Sequence, residues 1–439
     1  MYPRFTVSYM KNNNIFSLNY KYFIYIVFGC IPISHVIGNS MLNLNIILCG
    51  LIFLSHSILK KEWSWCGEKL FKWLIILYIF FILNSINSIF FKIDHDNIYG
   101  GIVRSLSFIK FIILIFSFRI ISIYKINLDY IIKTWLIITL IIVFDVFFES
   151  YFGKNLIGNI SPDHTRIVSF FKDELVVGNF ILFYGFIIYF YFISKKQLTN
   201  IEIIFYNLFL FLILISIFLS GERSNFIKSL IVFLIVITLI ENKKLILNKI
   251  YLILSILLII SSTLTINNNL KITYLEFFDR ISVSKKEGFQ KFENIKYFVH
   301  YDVAIKIFKD NFFIGVGNKN FRWDCHKTKY FDPQIKLSSV RCSNHPHQVR
   351  LEILSEHGII GYILIFYILF NFLFLKFKFL VNNKFYFEWG LMLLLLTFFI
   401  PILPSGSLFS SFGGSFFWLT FSLLNYRFME IDKFKKTNK

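Results

Sequence analysis

The stretch His345-Pro-His-Gln-Val-Arg-Leu-Glu-Ile-Leu-Ser-Glu-His-Gly-Ile-Ile-Gly361 packs titratable side chains where a long polar segment meets an apolar run. Within it His347, Gln348, nine residues, Gly358, two residues and Gly361 read H-Q-x9-G-x2-G. An imidazole at the lip of a membrane, partly shielded, can accept a proton near neutral pH, which is the work of a general base. Gly358 and Gly361 would let the backbone pack tightly where it enters the apolar phase. A second group is Ser220-Gly-Glu-Arg-Ser-Asn225, set between two apolar runs. Charges are costly at a membrane rim, and the planar fork of Arg223 suits phosphate oxygens at any cellular pH. The plainer reading of that turn is a self-neutralising Glu222–Arg223 pair.

Further groups lie near these two. His345, Arg341 and Arg350 are neighbours of His347 in sequence, and Arg280 is a cation in the same polar segment. Arg166, with Asp173 and Glu174 nearby, either orients a sugar or forms a structural ion pair. Glu222 is a candidate for substrate contact. His35 and His56 fall in apolar runs and read as packed side chains, and Lys110 as a snorkelling or bundle-paired one. The chain shows no P-loop, dinucleotide-binding glycine run, paired-aspartate metal pattern or serine triad, and no cofactor or metal is expected.

The elements that must carry these groups are membrane helices. The chain of 439 residues is 56% hydrophobic and 20% aromatic, with only 16% charged residues. Apolar runs long enough to cross about 30 Å of hydrocarbon recur throughout. Twelve spans are expected, at 20–38, 41–59, 71–91, 104–123, 130–149, 174–194, 202–220, 226–241, 249–265, 358–376, 389–405 and 411–427. The first apolar run is of full span length and lacks a small-residue cleavage site, so no cleavable signal peptide is expected. The fold class is thus an all-α polytopic membrane protein, with residues 1–265 carrying nine helices, 266–357 a polar loop domain and 358–439 three helices with a tail. Within the loop, 295–310 reads as an amphipathic helix.

Basic residues cluster in every even-numbered connection and in the tail, among them Lys60, Lys61, Arg119, Lys195, Lys243, Lys376 and Lys433. By the positive-inside tendency these ends and both termini are cytoplasmic. The same bias explains the net charge of +20 without nucleic acid, through topology and anionic headgroups. The loop 266–357 then faces outward. It breaks the charge rule, with 14 Lys and Arg against eight Asp and Glu between 266 and 344. A polyanionic substrate and a generic lysine-rich surface both account for that surplus. Cys325 and Cys342 share the loop and could close a disulfide in an oxidising compartment. Free thiols are the alternative, and zinc with His326, His345 or His347 a lesser one, since the spacing matches no familiar zinc pattern.

Taken in order, these motifs resemble the O-antigen ligase and polymerase superfamily of bacterial membrane glycosyltransferases. The small-residue and arginine turn is Ser220-Gly-Glu-Arg223-Ser224, and the Gly-x-Gly-x-x-x-Phe element is Gly315-Val-Gly317-Asn-Lys-Asn-Phe321-Arg322. The loop closes with His347 to Gly361, and Arg166 to Gly178 resembles the family's outer loop before the sixth span. The resemblance implies a metal-independent inverting C-type transferase acting on an undecaprenyl-diphosphate glycan at the periplasmic face of the inner membrane. It implies that Arg223 and a loop arginine, here Arg280, contact the diphosphate, while His347 assists the acceptor hydroxyl. Where such chains often carry Arg-x-x-Trp ahead of the Gly-x-Gly, this one has Phe298-Val-His-Tyr301.

The activity expected is transfer of the lipid-linked O-antigen glycan to lipid A-core. Glycan polymerisation and transfer to protein hydroxyls use the same donor and are the alternatives. A transporter of lipid-linked sugar is disfavoured, because no internal repeat is evident and the charged groups sit at the rim rather than the midplane.

Overall fold

The computed structural model describes residues 19–91, 100–163, 165–172, 174–195, 198–239, 295–335, 337–374 and 385–437, with 253, 257, 260–261, 263–265, 269–275, 376, 377 and 380. All regular structure among them is helical. Among the described residues six helices are long and apolar enough to cross a bilayer. They are α3 (Asn39–Lys60), α4 (Lys69–Phe91), the run α5 (Gly100–Ser107), α6 (Ile109–Ser117) and α7 (Arg119–Ile123), α8 (Leu128–Phe152), α10 (Asn200–Leu219) and α13 (Val349–Leu369). A pair preceding them, α1 (Asn19–Gly29) and α2 (Ile31–Ile37), bends by 46° and counts as a seventh if it is one span. Shorter apolar helices are α9 (Val177–Ile193) and α14 (Tyr386–Thr397). To these are added α11 (Arg223–Leu239), the polar α12 (Lys296–Asp310) and α15 (Ser411–Thr437). The chain is a multi-pass membrane protein. Helical residues occur within each expected span; of the ninth, 249–265, only 253, 257, 260–261 and 263–265 are described, and these are helical.

Local chemistry explains several boundaries. Thr199 and Glu202 close a reciprocal capping box at the start of α10, and the Asn127 side chain accepts the Asp129 amide at the start of α8. Gly153, at φ 71°, ends α8 in the left-handed conformation that glycine adopts without strain. The expected span 389–405 stops as a helix at Thr397. Pro401 and Pro404 supply no amide hydrogen, so 398–410 becomes a loop, and that loop matters below.

The bundle interior is aromatic: Phe28, Phe118, Trp135, Tyr184 and Phe416 are essentially unexposed. α6 packs against α3 and α15, while α14 packs against α9 and α15. On α8 the residues Ile137, Ile141, Phe144 and Tyr151 are exposed on one face, the surface a lipid-facing helix presents.

Ion pairs tie the basic connections to one another. Arg119 meets Glu68 at 2.5 Å, Lys195 meets Asp129 at 2.6 Å, and Lys376 meets Asp432 at 2.8 Å. The even-numbered connections they join therefore share one end of the bundle. At the other end residues 150–172, 220–223, 295–348 and 398–410 meet. There α12 occupies most of the expected amphipathic 295–310, packs on α13, and covers a small separate core of Val303, Ile307, Val316, Phe321 and Tyr330.

Candidate active site

The arginine turn is locked from two sides. Gly221 takes φ 72°, and a Cβ there would lie 2.5 Å from the Thr165 carbonyl oxygen, so only glycine admits the 165–167 strand of chain. Ile167 N–H donates to the Ser220 carbonyl at 3.2 Å. The Glu222 carboxylate turns inward, accepting the Gly178 amide at 2.6 Å and the Asn225 side-chain amide at 2.5 Å. Burial pushes its carboxyl up to about 7. Arg223 donates through Nη1 to the Thr273 carbonyl at 3.0 Å. Arg166 sits 4.0 Å from Asp163 and within electrostatic reach of Glu222. The structure thus gathers Arg166, Glu222 and Arg223 at one point; Asp173 and Arg280 lie outside the described residues.

His347 has φ 58°, a strained value for a residue with a Cβ. Two contacts hold it: Ser405 N–H donates to its carbonyl at 2.8 Å, and its Nε2 lies 2.8 Å from Ser343 Oγ. The rings of His345, Tyr297 and His300 surround it at centroid distances of 4.3, 5.2 and 5.5 Å. Burial, then the neighbouring histidines and Lys296, hold its imidazole down to about 2. Burial and Lys319 hold His345 down to about 3. An imidazole enclosed by cations and apolar surface is held toward its uncharged form. His300 donates through Nδ1–H to the Arg341 carbonyl, 2.9 Å away, and its buried Nε2 has no partner among the described residues.

Helix α13 begins at Val349, nine residues before the expected span, because the Gln348 side chain caps the Leu351 amide and Ser405 Oγ accepts the Val349 amide. The helix breaks at Gly358, with φ 63° and ψ −167°. The groups freed by the break are taken up by the Gly-x-Gly element. Val316 and Gly317 amides donate to Ser355 and Glu356 carbonyls at 3.0 and 2.8 Å, and Ile359 and Ile360 amides donate to Phe312 and Phe313 carbonyls at 2.8 and 3.1 Å. A Cβ on Gly315 or Gly358 would enter the opposite backbone, at 2.4 and 2.3 Å. The two glycine motifs are one interlocked feature.

Beneath it lies a network the motifs did not announce. Lys319, 3% exposed, pairs with the fully buried Glu352 at 2.6 Å, and Ser407 joins both. Glu356 accepts the Lys319 amide at 2.8 Å. Loop 398–410 then reaches the arginine turn: the Pro404 carbonyl accepts Ser224 Oγ and Lys228 Nζ, each at 2.6 Å. Consecutive residues Pro404 and Ser405 therefore link the helix of Arg223 to the backbone of His347. Lys228 was the one legible hint, a lysine inside an apolar helix; Pro404, Ser405 and Ser407 carried no signal.

Arg341 is committed to three carbonyls, those of Cys325, Ser338 and His326, at 2.9, 3.2 and 2.9 Å. It braces the loop closed by the Cys325–Cys342 disulfide rather than pointing at a ligand. Cys325, His326 and Cys342 are also close enough to hold a metal ion, but sulfurs bonded to each other are not thiolates. Arg350 keeps a buried Nε with no partner among the described residues.

Residues 208–366 match the family model described as O-antigen ligase. It spans the arginine turn, the Gly-x-Gly element and His347. No curated protein matches the chain.

Proposed function

We propose that this chain, a multi-pass membrane protein assigned to the O-antigen ligase superfamily, transfers a glycan from undecaprenyl diphosphate to a lipid A-core hydroxyl at the periplasmic face of the inner membrane. The observation that supports the reading is the link through Pro404 and Ser405 between the helix that starts at Arg223 and the backbone of His347. In this reading twelve helices cross the membrane with both termini cytoplasmic, and 266–357 caps the outer end as a separate domain.

The chemistry is a metal-independent inverting displacement. The acceptor oxygen attacks the anomeric carbon, its proton passes to His347, and the bond from that carbon to the diphosphate oxygen breaks. The lipid diphosphate leaves with the bonding pair, and Arg223 with Arg166 takes up the growing charge. Arg280 is assigned the same task from the loop. The depressed basicity of His347 has a use here: a diphosphate bound nearby replaces a cationic surrounding with an anionic one and raises its proton affinity. The base is then strong only when the donor is in place. Glu222 serves by holding the turn onto Gly178, while His345 and Arg350 line the approach to His347.

The test is transfer by the purified protein of a labelled undecaprenyl-diphosphate glycan, with and without lipid A-core, resolved on a gel. Label on lipid A-core is the expected result. Longer lipid-linked chains would instead make the protein a polymerase, and label on neither would remove the assignment.

A further inference from the structure

A second cationic group lies beside the histidine segment. Arg322 follows the Gly-x-Gly element, and its Nη2 donates to the carbonyl of Asn344, the residue before His345, at 3.2 Å. Its Nε is buried without a partner among the described residues. Helix α5 packs directly on this loop. A Cβ on Gly101 would lie 3.1 Å from the Asn318 carbonyl oxygen, and Asn318 donates to Ser105 Oγ at 3.1 Å. Arg104 shares the helical face of Gly101 and Ser105, three residues from one and adjacent to the other, so it is presented to the Arg322 loop.

The two arginines are within electrostatic reach of each other, and the carboxylates of Glu352 and Asp324 nearby pair with Lys319 and Lys327. Burial and the charge of Arg104 both hold Arg322 below the usual arginine range, against weaker support from Glu356 and Glu352. Those carboxylates are already engaged by Lys319, Ser407 and backbone amides. Like charges held together in a partly desolvated place, each with donors to spare, match the needs of an anion that accepts from both forks.

We infer that Arg104 and Arg322 form an anion subsite for a phosphate or carboxylate group on the acceptor glycolipid, beside His345 and His347 and distinct from the Arg166 and Arg223 cluster. This rests on the transferase reading for the word acceptor, and on geometry alone for the anion. The subsite sets which acceptor is used, by placing a charged sugar so that its neighbouring hydroxyl reaches His347.

Binding tests it first. The detergent-purified protein is titrated calorimetrically with a bisphosphorylated glucosamine disaccharide, its phosphate-free form, and a uronate-bearing disaccharide. The wild type should prefer a charged form at least ~10-fold, with the stronger of the two identifying phosphate or carboxylate. Arg104→Gln and Arg322→Gln should each remove most of that preference, Arg322→Lys less, and Arg223→Ala none of it. An unchanged preference in the two glutamine variants, or equal loss in Arg223→Ala, overturns the subsite. Thermal melting confirms that each variant is folded. In the transfer assay Arg322→Gln should raise the acceptor KM about 10-fold while donor KM stays within about twofold; a rise in donor KM instead overturns it. Absence of transfer by the wild type would remove the proposed activity, and the titration would still decide the subsite.

Discussion

Two charged clusters sit close together in this protein and differ in how far their hydrogen bonding is closed. Around the break in α13, Lys319, Glu352, Glu356 and Ser407 are almost fully buried and bond chiefly to one another. At the rim, Arg166, Arg322, Arg350 and His300 are more accessible or keep buried nitrogens unpartnered among the described residues. A closed buried circuit cannot take a ligand without breaking itself, and its removal harms the fold. A cluster with donors in reserve can take an anion. Charge in the sequence is the same in both; completion of the hydrogen bonds separates scaffold from site.

The contrast is broken most sharply at the rim. His347→Ala or Arg223→Ala should lower transfer by about 10²–10⁴-fold, with the melting temperature in detergent unchanged. If either variant transfers glycan at the wild-type rate, the site is elsewhere. The scaffold cluster should answer in the opposite way. Glu352→Ala leaves Lys319 buried and unpaired, at a cost of about 3–5 kcal/mol, seen as a lower melting temperature and yield. The double change Lys319→Met with Glu352→Met should cost less than the single one. A Glu352→Ala protein that melts normally would place Glu352 among the functional groups.

The disulfide should sharpen the comparison further. Replacing Cys325 and Cys342 with serine reopens the loop braced by Arg341 and should cost about 3 kcal/mol at most, measured by melting with and without reductant. The smallest effect is the pH dependence. His345 and His347 have folded values of about 3 and 2, below the ordinary 6.5. The unfolded chain then binds more protons between those values and 6.5, so stability is complete above 6.5 and falls as the pH drops. Melting from pH 7.5 to 5 should show this slope, and His345→Gln with His347→Gln should reduce it. A slope unchanged by the pair would mean that these histidines are not enclosed.

Much of the site was legible because its parts are local. Gly221 and Gly358 announce backbone that a Cβ would forbid, and the order of turn, Gly-x-Gly and His-Gln motifs is written in one dimension. What those glycines meet was not legible. Gly358 is tolerated because Phe312 and Phe313 carbonyls accept the amides beyond it, 45 or so residues back in the chain. Lys319 read as one more lysine of a solvated loop and is instead an interior ion-pair partner. Arg341 reads as a neighbour of His347 in sequence, and its guanidinium donates to three carbonyls.

By itself the sequence determined the membrane character, most helix positions, and which residues carry chemical capacity. Apolar runs must be helical in lipid, since no water satisfies their backbone there, and that rule acts locally. The tertiary structure alone decided which capable residues share a site. Loop 398–410, with two prolines and no titratable side chain, joins the helix that starts at Arg223 to His347 through the Pro404 carbonyl and the Ser405 amide. Such groups belong to every residue alike, so their pairing is a property of the folded chain and leaves no mark in residue type.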